Sequence, residues 1–529
     1  MIGRVLAAWT ALDPRVVVEI KVGVALSGAL LLAAGIWLRK IGRPNAFRRT
    51  RDVLLALLGL AAFCSWWNLG HFHFPDFLQV HEEYHYYLGS KYASELGYTH
   101  LYECTVAADI EDGYQEQARW IRDLSNNELL PRTSILQLAD RCRPLFTPAR
   151  WEMFRRDLRW FRAHRDAPSW ASLLTDHGYN ATPVWTMEGR LLDDFAPASD
   201  RQMFALALLD PAILVLMWAV VWSTFGWRAM CVALLWWGTN APADYSWTGG
   251  AYLRTDWLAL TTVAICFAKR RQMVSSGVAL AYAAWLRVFP ALLMAGLVLS
   301  TLPRSWRGRT SVFGPETRSF VRGFVIASVF LVGISVTVVG RGWTGGIDAW
   351  RGFVTNTEKH VLSPAANLIG LKAVMSYELE SRASVLRSYY VDTPWDSWAT
   401  ARRRVFTERR PVFWIVVVGF FLLLARAVKG QEAWVALILG LGLVPFAWEA
   451  ACYYYAILLV YGLLWETHEW IGVSLCVLSA LTWLFHEALT ELDDVYVAIS
   501  VAVLFFVLGV TVSFARHPRR HAADTRQIQ

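Results

Sequence analysis

Time after time in this chain, an apolar run of about the length needed to cross a bilayer stops at a cluster of arginines. A hydrocarbon core about 30 Å thick takes roughly 20 helical residues, and backbone inside it has to satisfy its own hydrogen bonds, so such runs are restricted to helices. Val17–Leu38 ends at Arg39, Lys40, Arg43, Arg48, Arg49 and Arg51. Tyr252–Ala268 ends at Lys269, Arg270 and Arg271, and Val495–Phe514 at Arg516, Arg519 and Arg520; Arg304, Arg307 and Arg309 form a further cluster. Basic residues are retained on the cytoplasmic side, so each cluster fixes the direction of its run. Composition agrees. Hydrophobic residues make up 55% of the 529 and charged residues 18%, against roughly 25% charge in soluble domains. That leaves too little polar surface for several water-soluble units. The net charge of +8 sits at the ends of apolar runs, which makes it a topology signal and not a nucleic-acid footprint.

Threading the runs between these anchors gives an all-α, multi-pass protein of about 13 spans. Val17–Leu38 goes in and Val53–Leu69 comes out. A polar stretch, residues 70–202, carries 20 acidic against 14 basic residues and belongs outside. Met203–Trp222, Ala229–Gly238 and Tyr252–Ala268 then alternate in direction. Met273–Leu302, caught between two basic clusters, has to form a hairpin of short helices turning near Arg287 and Pro290. Phe324–Val339 exits, residues 340–411 form a second outer stretch, and Val412–Val428, Ala433–Trp448, Cys452–Trp465, Trp470–Ala488 and Val495–Phe514 complete the set. The division is then an N-terminal extra span with its basic loop (1–52), a membrane core (53–465) and C-terminal spans with a basic tail (466–529). Met1–Arg15 contains Asp13 and Pro14 and lacks the apolar core of a cleavable leader. The excess of arginine over lysine points to a GC-rich bacterial genome, and the apolar runs place the chain in the plasma (inner) membrane.

Within the first outer stretch, Trp151, Phe154, Leu158 and Phe161 recur at helical spacing among Arg155, Arg156, Arg159 and Arg162. That predicts a basic amphipathic helix lying on the membrane surface. Cys104 and Cys142 are the two cysteines of the outer stretches, where an oxidising exterior allows a disulfide. Asp493 and Asp494 at an outer turn read as solvated residues.

The densest ionisable cluster is His71, His73, Asp76, His81, Glu82, Glu83 and His85. One reading is metallic: His81-Glu82-Glu83-Tyr84-His85 fits H-E-x-x-H, which places both imidazoles on one helix face for zinc, with Glu82 as base. The third ligand would be Glu103 or Asp109. The other reading is group transfer. A carboxylate at the outer membrane surface can deprotonate an acceptor hydroxyl, and a leaving phosphate needs cations close by. Arg254 and Arg287 are candidates for the phosphate, with Asp256 beside Arg254 as a structural partner or substrate contact. Charges at such depth are costly and default to function.

In that second reading the chain resembles the GT-C superfamily of glycosyltransferases that use polyprenyl-phosphate sugars, and within it the mannosyltransferase branch. The resemblance rests on an acidic residue ahead of an aromatic surface helix (Glu82 to Tyr102), on Leu286-Arg287-Val288-Phe289-Pro290, on the Asn367 loop His360–Leu371, and on Val444-Pro445-Phe446-Ala447-Trp448 running into Tyr453-Tyr454-Tyr455. Arginine stands where that branch has lysine in the hairpin, and aromatics replace the histidines that often follow the tryptophan motif. The resemblance implies a donor that is a polyprenyl-phosphate-linked sugar, a lipid or glycan acceptor, and a site on the outer, periplasmic face in contact with membrane lipids. It implies Glu82 as base, with Asp76 second and Glu83 third; Arg254, Arg287, Lys359 and His360 at the donor phosphate; and His85, Asp256, Asn367, Trp448 and Tyr454 at the sugar or acceptor. No cofactor is required, although the histidines around Glu82 leave room for a divalent metal. A zinc peptidase built on His81 and His85, a transporter and a non-catalytic envelope component are the alternatives.

Overall fold

In the computed structural model, residues 12–114, 118–305, 314–340, 342–363, 365–387 and 395–516 are described. The basic residues Arg307, Arg309, Arg519 and Arg520 and loop residue Pro364 lie outside them. The architecture is all-α, 75% helical. Among the described residues, six helical segments are long and apolar enough to cross a membrane: Pro14–Lys40, Asp200–Thr239, Pro315–Val339, Asp396–Ala427, Trp470–Ala488 and Leu492–Arg516. Met273–Leu286, Phe289–Thr301, Ala433–Ala447 and Cys452–Gly462 are shorter apolar helices. Large apolar side chains such as Leu30, Leu216, Val329, Ile415 and Phe505 stand exposed on these helices, the reverse of a water-soluble surface.

Helix α1 (Pro14–Lys40) opens on Asp13, whose carboxylate accepts from the Arg15 amide. It is no peripheral addition. Its Lys21 is 2% exposed and is held by Asp244 and by Asn68 Oδ1, because an ammonium in an apolar interior has to be paired. Helix α2 (Arg48–Trp66) returns towards the loop face. Later, the helical run Leu209–Thr239 breaks at Gly226, where φ is +80°. Trp218 before the break contacts Trp237 after it, so the run folds back on itself at Gly226. Asp52 on α2 clamps Arg228 at the same end through two hydrogen bonds of 2.6 and 2.8 Å.

The first polar stretch folds into a compact helical unit. It contains α3 (Val80–Lys91), α4 (Leu101–Glu111), an antiparallel hairpin of β1 (Trp120–Asp123) and β2 (Glu128–Pro131), α5 (Pro148–Ala163) and α6 (Pro183–Asp193). Its core is aromatic: Tyr84, Tyr87, Tyr92, Tyr102, Trp151, Trp170 and Trp185 are all sealed from solvent. The expected membrane-surface helix is α5, and here the structure corrects the sequence. Trp151, Phe154, Leu158 and Phe161 point into this core and have no exposure left for lipid. The arginines of α5 meet carboxylates, Arg162 with Asp109 at 2.6 Å and Arg155 with Asp112. An amphipathic pattern reports that one face is buried, and protein buries it as well as lipid does. Cys104 and Cys142 are disulfide-bonded, with Cα atoms 5.2 Å apart.

The second polar stretch supplies α7 (Trp343–Leu362) and the polar first half of α8 (Asp396–Ala427), which runs through Pro411 without ending there. Asp493 and Asp494 are not merely solvated. Asp493 is buried against Arg402 at 3.0 Å, and Asp494 takes Arg382 at 3.0 Å and Tyr377 at 2.7 Å. A two-residue ladder pairs Leu368–Ile369 with Ala450–Ala451, which joins this stretch to the tryptophan motif.

Closing a loop of 38 residues removes about 4 kcal/mol of unfolded-state entropy in the simplest loop-closure estimate. A non-reducing peptide map is expected to show the Cys104–Cys142 linkage, and reductant or Cys104→Ser is expected to lower the melting temperature of the loop unit. A reduced protein that melts unchanged would remove the disulfide as a stabilising element.

Candidate functional site

The two polar stretches and the segment 246–254 enclose a cavity of about 910 Å³ on the loop face. Its position depends on how segment 249–256 is fastened. Gly250 has φ +75°, and a Cβ there would lie 1.8 Å from the Phe77 carbonyl oxygen, so glycine alone permits the approach. Through that approach the Gln79 amide donates to the Gly250 carbonyl at 3.0 Å, which registers the start of α3 against the segment. Asp210 accepts the Arg254 and Thr255 amides at 3.0 Å. The Trp185 indole donates to the Leu253 carbonyl at 2.8 Å, and the His73 ring donates to the Gly249 carbonyl at 2.7 Å.

This frame delivers Arg254 to Glu82, with 2.9 Å between Nη2 and Oε2. The Arg254 guanidinium also lies 4.1 Å from the centre of the Tyr86 ring, and Arg287 lies 5.9 Å from the same ring. Both arginines are buried, yet Nε and Nη1 of Arg254 and Nε and Nη2 of Arg287 have no hydrogen-bond partner. Buried donors are almost always satisfied. Arg254, beside Glu82, thus keeps unspent donors at the cavity wall, and Arg287, which is not among the cavity-lining residues, keeps its own behind the Tyr86 ring; arginine forks suit phosphate oxygens.

The remaining predicted residues sort by position. Glu82, His85, Arg254, His360, Asn367 and Trp448 line the cavity. Tyr453 lines it as well, whereas Tyr454 packs behind it on Trp257 and Phe289. Asp256 is buried at the start of its helix, with Oδ1 on the Trp257 amide at 2.7 Å. Asn367 reaches the cavity because the Cys452 amide donates to its carbonyl at 2.9 Å beside the short ladder. Lys359 goes elsewhere. On α7 it points about 100° away from His360, donates to the Leu124 carbonyl and faces a second cavity of about 540 Å³. The placement of Lys359 and His360 at one phosphate is thus corrected by helix geometry.

Of the three candidate bases Glu82, Asp76 and Glu83, Glu82 alone lines the cavity. Asp76 sits in an exposed turn, where its carbonyl accepts from the His73 amide at 2.9 Å. Glu83, the residue after Glu82, is turned about 100° around α3 and is wholly buried. Burial, then the neighbouring Asp193, Asp210 and Glu82 carboxylates, push it well above the usual carboxylate range. Burial also holds His85 down at about 3; its Nδ1 donates to the His81 carbonyl at 2.8 Å and its Nε2 accepts from the Tyr102 hydroxyl at 2.7 Å. Glu82, the base of a zinc-peptidase reading, is engaged by Arg254. Glu103 and Asp109, the expected third zinc ligands, are turned to His100 and to Arg162. The carboxylate that does reach His81 is Asp176, at 2.8 Å. The adjacent Asp176 and His177, with Lys372 and Glu449, line the cavity; no motif marks them, because they come from three places far apart in the sequence.

Native Glu83 holds its proton more tightly than the unfolded chain does, so its contribution to stability is fully present below its ordinary value of 4.5 and is lost as pH rises above it. Glu83→Gln should flatten that fall in a melting-temperature series against pH. An unchanged slope would mean that Glu83 is ionised in the fold. Gly250→Ala should be costly by at least about 1 kcal/mol from backbone strain alone, with further loss from the contact with Phe77; a variant that melts like wild type would show that the segment is not locked there.

No family model matches the chain, and no curated protein or solved structure matches it either.

Proposed function

We propose that this chain is a GT-C-type membrane glycosyltransferase that moves a mannose-like sugar from a polyprenyl-phosphate donor to a lipid or glycan acceptor. It would act in a bacterial inner membrane, with the cavity facing the periplasm. The observation that carries the reading is the pair of buried guanidiniums with unspent donors, Arg254 next to the cavity-facing carboxylate of Glu82 and Arg287 near the same Tyr86 ring. An anionic leaving group and a base are what glycosyl transfer from a phosphate requires.

In this mechanism the donor phosphate takes up the free Nε–H and Nη–H groups of Arg254 and Arg287. Phosphate competes with Glu82 for Arg254, so donor binding releases the carboxylate towards the cavity. Glu82 accepts the proton of the acceptor hydroxyl as that oxygen bonds to the anomeric carbon. The bond from the anomeric carbon to the phosphate oxygen breaks, and the electron pair stays on the polyprenyl phosphate, where the two arginines stabilise it. Attack from the side opposite the phosphate inverts the anomeric centre. The cavity is large enough for a sugar together with an acceptor group, and Trp448, Tyr453 and Asn367 offer it apolar faces and an amide.

Purified protein in detergent should transfer radiolabel from polyprenyl-phosphate mannose, with glucose and arabinose donors assayed in parallel. Glu82→Gln is expected to lower kcat by about 10²-fold or more while donor affinity holds or tightens, because the ion pair that competes for Arg254 is gone. Arg287→Gln is expected to weaken donor binding by about 10-fold or more, the scale of a lost charged hydrogen bond, and Asp76→Asn to act like wild type. Transfer that survives Glu82→Gln would sink the assignment of the base, and no transfer from any donor would sink the reading.

A further inference from the structure

One wall of the 910 Å³ cavity carries four imidazoles and a carboxylate: His81, His85, Asp176, His177 and His360. Helix α3 places His81 and His85 one turn apart on the same face, with ring centres 4.9 Å apart. The fold then brings in Asp176 from 95 residues further along the chain, with Oδ2 2.8 Å from His81 Nε2. One ligand atom from each of the three lies within 4.8 Å of the others. Tetrahedral zinc with bonds of about 2.0–2.1 Å spaces its ligand atoms about 3.3 Å apart, so small side-chain rotations close these three onto one ion.

The surrounding groups are arranged as ligand-orienting groups are. His85 donates Nδ1–H to the His81 carbonyl at 2.8 Å, which leaves Nε2 as the lone-pair nitrogen. A ligating histidine almost always spends its other N–H in this way. Asp176 Oδ1 accepts the His177 amide at 2.7 Å, which turns Oδ2 towards the histidines. The His85 lone pair is occupied by the Tyr102 hydroxyl, a weak donor that a metal ion displaces. His177 Nδ1, on the same wall, is buried without a hydrogen-bond partner and is a candidate hydrogen-bonding group for a water on the ion. Imidazole nitrogens with one carboxylate suit zinc and its neighbours and do not suit magnesium or calcium.

We propose that His81, His85 and Asp176 bind one divalent transition-metal ion of the zinc class, with its fourth position open to the cavity. The site does not depend on the glycosyl-transfer reading. Glu82, the next residue on α3, is not a ligand, because its carboxylate is directed to Arg254.

The full-length protein in detergent, stripped with chelator, is titrated with Zn²⁺ alone and with Co²⁺ alone, and bound metal is counted by mass spectrometry. One ion per chain is expected, with the intense visible absorption of four-coordinate Co²⁺. Asp176→Asn and His85→Gln should each weaken Zn²⁺ by about 10-fold or more, and Glu82→Gln should leave it within about twofold. Asp176 and His81 are partly exposed, so Asp176→Asn and His81→Asn keep the fold if an exchange at buried His85 does not; equal melting in chelator verifies this. No retained metal, or equal affinity in Asp176→Asn and wild type, overturns the site. Zinc binding without sugar transfer would overturn only the functional reading, and transfer by a protein that binds no zinc would overturn only this one.

Discussion

The burial of Arg254 and Arg287 is the constraint on which the rest of the loop face depends. Withdrawing a guanidinium from water costs several kcal/mol per ion even after relaxation. Here Glu82 and the face of Tyr86 offset that cost for Arg254, and Arg287 shares the same ring at longer range. Neither arginine can be held unspent by its own contacts alone. The scaffold has to be rigid enough that neither side chain turns out to water, and for Arg254 that rigidity comes from Asp210, Trp185, His73 and the Gly250–Phe77 approach acting on one short segment.

Charge pairing of the same type holds the larger architecture. Lys21 fastens the first helix to Asp244 and Asn68, and the same part of the chain, 244–256, carries the arginine segment. Asp493 and Asp494, at the start of the last helix, draw in Arg402 and Arg382 and so seat the second polar stretch beside the cavity. Lys372 with Glu449, at 2.8 Å, joins that stretch to the tryptophan motif. Each pair links segments far apart in the chain, and each is satisfied at the boundary between the apolar helices and the loop face. Such pairs specify one arrangement where apolar packing alone would permit several.

The apolar runs and their basic ends were legible because hydrophobicity and charge act locally. Gly226 marks the point where a long apolar run folds back on itself, and the apolar stretch 273–302 is interrupted by a short turn at Phe289–Leu292. Three features were not legible. The apolar stripe of α5 specifies burial without saying what does the burying, and an aromatic protein core took the place of lipid. Lys359 and His360 are adjacent in sequence and part company because a helix turns about 100° per residue. Asp493 and Asp494 resemble solvated turn residues until the arginines of a distant stretch reach them.

The sequence by itself determined an all-α chain with membrane-length apolar helices and two polar stretches. It also determined that Glu82, Arg254 and Arg287 stand near the ends of apolar runs, since hydropathy and charge spacing are properties of neighbouring residues. Only the tertiary structure decided that Glu82, and neither Asp76 nor Glu83, faces the cavity, that Arg254 and Arg287 share one tyrosine ring, and that Asp176 joins His81. Those choices depend on side-chain direction and on contacts across tens to hundreds of residues, which no local pattern encodes.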